Sequence, residues 1–490
     1  MLRTMRTWTG LCAMGTFLVL ASCNTDDLLV VENPDEIQID KLNDVKLLDV
    51  QLNGVMDQFY GTYASPVLEY ATYPTDEVLT GLNWEDYARV NQRIISYLEG
   101  PTAGIFEGLS RGLRMGNDLA DRIRGWEQEY PGRDFDEELA TALVFAGYSA
   151  TVLAENTCQS VISPDPDNPS GTVLSQLETF AAALPYLEEG LSVAQGAGAD
   201  ELVNLARVGL ARAHLGLGEW QQAANYAGDV DPGFEWWIPF VDISGGRNPL
   251  QNTSHGGNFT LGIHPWFTGT HPSFDGTGFS FTDDDIIAPQ TDPRIQHAIT
   301  DHTGHNALTP LYKLFQGLRY SEYNGETIAP SSAECPDCTG TDPEDMPLIT
   351  EYDTNILMAD YVEAQHHYYE AMAMMGSNTA AVLAFVNARR AVGHQPPVDL
   401  SGEDLITELR NQRARDLFMG GFRLPDLRRW TRFDPGNGPF ADGSYFPTGT
   451  HPNAQWGSYG EWTCYPIPLS EYTGNPNLQK PIDPNVPPGL

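Results

Sequence analysis

The chain has 490 residues, of which 27 are basic and 66 acidic, for a formal net charge of -39. A field of that sign repels nucleic acid and anionic substrates and suits neutral or cationic ligands. A hydrophobic content of 41%, with 10% aromatic and 19% charged residues, describes a folded chain and excludes a disordered one; by length alone two or three domains are allowed.

Residues 1–22 read as a secretory leader. Arg3 and Arg6 precede an apolar run around Leu11 to Leu20 that is too short and wrongly flanked for a membrane span. Leu20-Ala21-Ser22-Cys23 places small residues before a cysteine, as in a lipobox, so Cys23 is the expected lipidated N-terminus of the mature chain. Removing the two arginines leaves 25 minus 66, a net charge of -41. No later stretch approaches the roughly 20 apolar residues of a spanning helix, so the lipid is the expected anchor.

Helical spacing follows over residues 42–60, with Leu42, Val45, Leu48, Leu52, Val55, Met56 and Phe59 on one stripe. Thr75-Asp76-Glu77 comes next, then Asn83, Trp84 and Tyr87 in an expected loop, and helices are expected over 105–129 and 136–158. The loop Ser163 to Gly171 carries alternating acids, yet it lacks the spacing and closing Glu of an EF-hand, and no metal is expected there. Leu202 to Ala227 reads as a helix, a Gly turn and a second helix with small residues at contact positions, a tetratricopeptide-like pair.

From about 231 to 350 the pattern changes to Gly, Pro, Asp, His and aromatic residues with little periodicity. Loops of that length serve function or mark an insertion. Trp236, Trp237 and Trp266 lie here, and indole faces suit the apolar C–H surface of sugar rings. The histidines of this stretch lack zinc spacing. Cys335-Pro-Asp-Cys338 is a single C-x-x-C, too little for a zinc ribbon; a local disulfide suits an oxidising exterior. Cys158 and Cys464 remain as a possible pair that spacing does not decide.

Helical patterning resumes at 356–375 and 379–393, and the densest local pattern is Asp404 to Trp430. Leu405, Ile406, Leu409, Ala414, Leu417 and Phe418 share a helical face at roughly 100° per residue. Arg410 and Arg413 fall inside that apolar arc, and a guanidinium there needs a carboxylate, with Asp416 and Asp426 the expected partners. Gly420-Gly421 is expected to end the helix, and Pro425 to bar its continuation.

Arg413, Asp416, Leu417, Gly421, Arg423, Asp426, Leu427, Arg428, Arg429 and Trp430 resemble the C-terminal signature of the SusD/RagB family of outer-membrane nutrient-binding lipoproteins. Gln412 and Gly420 stand where that family usually has Glu, and Pro425 replaces an aromatic. Further matches are Asn33 to Ile37, Thr75-Asp76-Glu77, Glu370-Ala371 with Gly376, Asn387, Arg390 and Gly393, and the tail from Cys464 to Glu471 and Asn475 to Gln479.

The resemblance implies a mostly α SusD-like fold, with tetratricopeptide-like helix pairs as a scaffold and long irregular loops carrying the binding surface. The implied division is a leader over 1–22 and a single SusD-like domain over 23–490, with helical repeats mainly at 40–228 and 356–430 and a loop-rich insertion at about 231–350. The implied function is a surface-exposed outer-membrane lipoprotein that binds an oligosaccharide or other nutrient and delivers it to a SusC-like TonB-dependent transporter, without cofactor, metal or catalytic residue. Asn83, Trp84, Trp236, Trp237 and Trp266 are the candidate ligand-binding residues. A surface glycoside hydrolase, or a binder of peptides or other nutrients within the same family, is the alternative; a hydrolase needs two carboxyl groups, one of them with a raised pKa.

Overall fold

A computed structural model describes residues 39–490 apart from 81–83, 164–169, 251–260, 265–272, 275–278, 281–291, 293, 296, 300–311, 315–352, 452–455 and 482–490. The leader with Cys23, the Cys335 and Cys338 pair, Asn83 and Trp266 lie outside the described residues. The chain divides after Asp49. In the first unit two short 3-10 turns, Ile39–Asn43 and Val45–Leu47, are joined at Asp44, whose side chain accepts from the Lys46 N–H.

The second unit begins within α1 (Leu48–Thr62). It continues through β1 (Val78–Thr80), α2 (Glu85–Asn91), α3 (Gly100–Glu129), α4 (Asp136–Asn156), β2 (Gln159–Ile162), β3 (Thr172–Ser175), α5 (Gln176–Ala197), α6 (Asp200–Leu217) and α7 (Trp220–Gly228). α3 starts with Pro101 in its first turn, where the missing N–H is no loss. It buries Ile105, Phe106, Leu109, Leu113, Leu119, Ala120, Ile123 and Trp126 at helical spacing against α4, which is buried along its length from Leu139 to Asn156. Each such Leu, Ile or Phe contributes about 1.5–3 kcal/mol.

The helices come close because glycine sits where they meet. A Cβ on Gly116 would lie 2.8 Å from the Ala142 carbonyl oxygen, and one on Gly209 would lie 2.8 Å from the Tyr148 ring. α5 opens with a capping box in which Ser175 and Glu178 exchange backbone and side-chain bonds. The expected helix, Gly turn and helix over 202–227 is α6 and α7, with Gly218 at φ +78° closing α6.

The stretch read as irregular contains short antiparallel ladders. β4 (Glu235–Ile238) pairs with β10 (Ile356–Asp360), β5 (Leu261–Ile263) with β1, β6 (Ser273–Phe274) with β7 (Phe279–Ser280), and β8 (His297–Ile299) with β9 (Tyr312–Leu314). The helix expected from 356 therefore begins later, as α8 (Tyr361–Met374). Ile356 to Asp360 is buried on both faces and apolar through Ala359, a run that periodicity cannot tell from helix; Asp360 ends the strand and caps α8 by accepting the Glu363 N–H at 2.6 Å.

α9 (Thr379–Val392), α10 (Gly402–Asp416), α11 (Arg423–Phe433) and α12 (Leu469–Gly474) complete the chain. Pro425 does not prevent a helix: it lies in the first turn of α11, where N–H groups have no intrahelical acceptor. Of the expected ion pairs, Arg413 does meet Asp426, at 2.7 Å. Arg410 instead reaches Asp434 and the Tyr445 hydroxyl, both at 2.6 Å. Asp416 is held by Arg294, Arg389 and the Nε2–H of His366 at 2.7–3.0 Å. Burial pushes the Asp416 carboxyl up, but these three partners outweigh it and hold it well below the usual range. Cys158 and Cys464 form a disulfide across 306 residues.

Candidate functional site

The C-terminal motif reaches back to the N-terminal helices and fixes the segment that carries Trp84. Arg423 chelates Asp76 with two bonds of 2.6 Å. Glu77 Oε1 accepts the Met419 N–H at 2.6 Å, and Tyr63 donates to the Gly420 carbonyl at 2.8 Å. Met419 takes the left-handed conformation, φ +55°, uncommon for a residue with a side chain, and the bond to Glu77 offsets that strain. Asn91, wholly buried, donates to the Tyr73 and Val78 carbonyls and accepts from the Thr80 N–H, which pins β1 to α2.

α2 thus projects from a rigid base, and Trp84 is the residue just before it. The Trp84 indole is 55% exposed. Its ring lies edge-on to Tyr87 at 5.6 Å between centroids, and Tyr87 packs in the same manner on Tyr70 and Tyr73 at 5.7 and 5.9 Å. The Tyr70 and Tyr87 hydroxyls are 3.2 Å apart. Beneath them Tyr73 donates to Glu69 at 2.7 Å, a carboxyl that burial raises to about 7 despite that bond. The result is a stepped aromatic surface with one indole outermost and acidic groups at its edge, Asp86 among them, which accepts the Gly100 N–H at 3.2 Å.

A second cluster lies alongside, where the residue after β5 meets β1. The His264 N–H bonds to the Glu77 carbonyl, and His264 Nε2 is 3.2 Å from the Tyr459 hydroxyl. The His451 ring sits 4.8 Å from Trp456 and 4.7 Å from Tyr459, with its Nε2 3.2 Å from Asn91 Oδ1.

Trp236 and Trp237 are adjacent on β4, and alternate strand residues face opposite sides. Trp236 turns inward, donating to the Tyr60 hydroxyl at 3.0 Å and packing on Phe145. Trp237 turns away and donates to its neighbour Glu235 at 3.1 Å. The two indoles do not form one platform. Tyr70, Tyr73, His451, Trp456 and Tyr459 were not singled out by the sequence pattern; their only signal is aromatic density near Trp84 and in the tail.

Carboxyl groups with raised pKa bear on the hydrolytic alternative. Burial lifts Glu77 to about 8 and Glu69 to about 7, yet both side chains are enclosed in the core, Glu77 at 1% and Glu69 at 5% exposure. Burial also raises Glu155, which is locked onto Arg212 by bonds of 2.5 and 2.6 Å. These three acids hold the scaffold and present no oxygen to a substrate; burial also raises Glu99, which is paired with Arg89, and the partly exposed Glu471. Among the described residues no group of three or more His, Cys, Asp or Glu side chains converges as a metal site.

Residues 367–483 match the model of the SusD family. The whole fold is similar to solved structures of that superfamily. A SusD superfamily protein from Bacteroides vulgatus is 16% identical, with 88% of this chain and 97% of that chain covered and a TM-score of 0.57. A SusD-like carbohydrate binding protein from Bacteroides fragilis is 16% identical over 89% and 99% of the two chains, TM-score 0.57. A laminarin binding SusD-like protein is 13% identical over 89% and 98%, TM-score 0.57. No curated protein sequence matches significantly. The fold is that of the SusD superfamily, mostly helical with a scaffold of packed helix pairs. The family model is matched by the C-terminal quarter of the chain, and the likeness to the solved structures is one of fold.

Proposed function

We propose that the chain is a surface-exposed outer-membrane lipoprotein, with a leader over residues 1–22, a lipid on Cys23 and a single SusD-like domain over 23–490. It captures an oligosaccharide and delivers it to a SusC-like TonB-dependent transporter. The observation that carries this reading is the Trp84 step: a large indole more than half exposed, backed by three tyrosines and held on a base anchored by Arg423 and Asp76. Such a surface stacks on a sugar ring while neighbouring polar groups take its hydroxyls. Asn83, Trp236, Trp237 and Trp266 remain ligand-binding candidates in this proposal.

The laminarin-binding neighbour of the same fold supports a glycan as the ligand class. Among the described residues no helix is long and apolar enough to cross a membrane, and a lipid supplies attachment without one. The work is binding, needs no cofactor, and leaves every covalent bond of the ligand intact.

The test is isothermal titration of the mature protein against plant, algal and bacterial oligosaccharides, with reducing-end release assayed in the same tubes. Binding heat without release, with the affinity weakened about tenfold in Trp84→Ala, is the expected result. Release of reducing ends would establish the hydrolase instead, and silence across the panel would overturn the glycan assignment.

A further inference from the structure

Beneath the Trp84 step lies a carboxyl that no cation neutralises. Asp76, Glu155, Glu370, Asp416 and Asp426, buried acids like it, each sit on an arginine. Glu69, on the helical turn Leu68–Tyr70 and 5% exposed, accepts the Tyr73 hydroxyl at 2.7 Å, and no charged side chain among the described residues acts on it. A buried carboxyl without a cation stays neutral until the pH reaches its raised pKa, which burial sets at about 7 with the Tyr73 bond opposing the rise.

The titratable groups that face it among the described residues are phenols. Tyr70 and Tyr73 come from its own segment, Tyr87 from α2, and Tyr465 from the C-terminal tail, where its hydroxyl donates to the Tyr70 carbonyl at 2.5 Å. α3 sets Gly104, without a side chain, against the Tyr70 ring. Burial first, and the Glu69 carboxyl after it, raise the Tyr70 hydroxyl; at Tyr87 and Tyr465 the same carboxyl acts behind burial and Tyr70. The charged groups of α2 are engaged elsewhere, Asp86 by the Gly100 N–H and Arg89 by Glu99, and Asp86 adds to Glu69 at Tyr87.

The contact that steadies Tyr87 is weak. Its hydroxyl meets that of Tyr70 at 3.2 Å, outside the usual range of about 2.5–3.0 Å for such a bond. A carboxylate accepts bonds roughly twice as strong as a neutral oxygen does and has about four sites for them, of which Tyr73 fills one. When Glu69 loses its proton, the Tyr70 and Tyr87 hydroxyls are the donors at hand, and drawing on either parts the pair. Trp84 leans edge-on against Tyr87 at 5.6 Å, so the indole shifts with it.

We propose that Glu69 is a positioning residue for the Trp84 step: neutral, it lets the three tyrosines keep their packing; ionised, it loosens them, so that glycan binding weakens as the pH rises through neutrality. The glycan part rests on the function proposed above; the control of Trp84 by Glu69 stands on the packing itself.

The experiment has two arms on the mature protein, each run from about pH 5.5 to 8.5. In the first, without ligand, Trp84 emission is taken as the difference between wild type and Trp84→Phe. Wild type should show one transition near neutrality. Glu69→Gln, whose amide keeps the shape and the Tyr73 bond but cannot ionise, should show none, and Tyr73→Phe, which removes the bond opposing the rise, should move the transition to higher pH. In the second arm, titration calorimetry with laminarin should find the affinity of wild type falling about fivefold to tenfold across the range and that of Glu69→Gln staying level.

A role in folding alone would leave the Glu69→Gln profiles parallel to those of wild type. Flat Trp84 emission in wild type, or the same transition in Glu69→Gln, overturns the proposal whatever the protein binds. Should Glu69→Gln fail to fold, the shift in Tyr73→Phe decides. A transition in emission with no laminarin heat at any pH upholds the control of Trp84 and removes laminarin as its ligand. Laminarin binding of equal affinity at every pH sinks the proposal and leaves the glycan reading in place.

Discussion

Replacing Glu77 with Gln should make the protein more stable above neutral pH. Glu77 is 1% exposed; one carboxyl oxygen accepts the Met419 N–H, and among the described residues the other has no hydrogen-bond partner. Burial raises its pKa from 4.5 to about 8, with the Met419 bond and Arg423 opposing the rise. A carboxyl whose pKa is higher folded than unfolded contributes stability that is complete below pH 4.5 and is lost as pH rises to about 8. At 1.36 kcal/mol per unit, the loss amounts to about 3–5 kcal/mol on the alkaline side.

Gln keeps the shape and the bond to Met419 but cannot ionise. Its advantage over wild type should be close to zero near pH 4.5 and should grow through neutrality to a plateau above pH 8. Thermal unfolding of the two proteins side by side across that range cancels every other titrating group. For a chain of this length the plateau corresponds to roughly 3–5 °C in Tm. A variant no more stable than wild type at pH 8.5, or a difference that does not change with pH, would refute the reasoning.

Three further outcomes are expected. Trp84→Ala should change stability by less than about 0.5 kcal/mol, because the side chain is mostly exposed, while weakening oligosaccharide binding by about tenfold as read by titration calorimetry. Arg413→Met leaves Asp426 buried beside Arg429 alone and should cost about 3–5 kcal/mol, visible as a lower urea midpoint. Replacing both Cys158 and Cys464 with Ala removes a link across 306 residues and should cost about 2–5 kcal/mol. The fold should nevertheless persist, since the Cys158 N–H to Tyr465 carbonyl and Tyr465 N–H to Asn156 carbonyl bonds remain; a far-UV spectrum and a urea curve read the two separately.

The helices were legible wherever one face is apolar and the other wet. The stretch 136–158 has no wet face beyond its first turn, yet it was found within two residues because that turn is acidic and the interior is mostly apolar. Ile356 to Asp360 was misread because a strand buried on both faces carries no alternation. The need of Arg410 and Arg413 for acids was legible from the helical arc, but the partners were only half so. Arg413 takes Asp426 across a turn that local sequence describes, whereas Asp416 is claimed by Arg294 from 122 residues away, a contact that only the assembled fold defines. Trp84 was visible as an aromatic in a loop; the tyrosines behind it were not, since their grouping depends on how α2 folds back over the residues after α1.

The clasp between Asp76 and Arg423 also sets an order of events. Ribosomes make the N-terminal end first. Until residue 423 emerges, Asp76 has no guanidinium to chelate and Glu77 no Met419 N–H to accept; Glu155 waits likewise for Arg212, and Glu370 for Arg429. Acids bound for the core stay ionised and hydrated in the meantime, and hydrated charges resist collapse. Arg423 and Arg429 therefore act as closing signals, since Asp76 and Glu370 gain their buried partners only when residues 423 to 429 arrive.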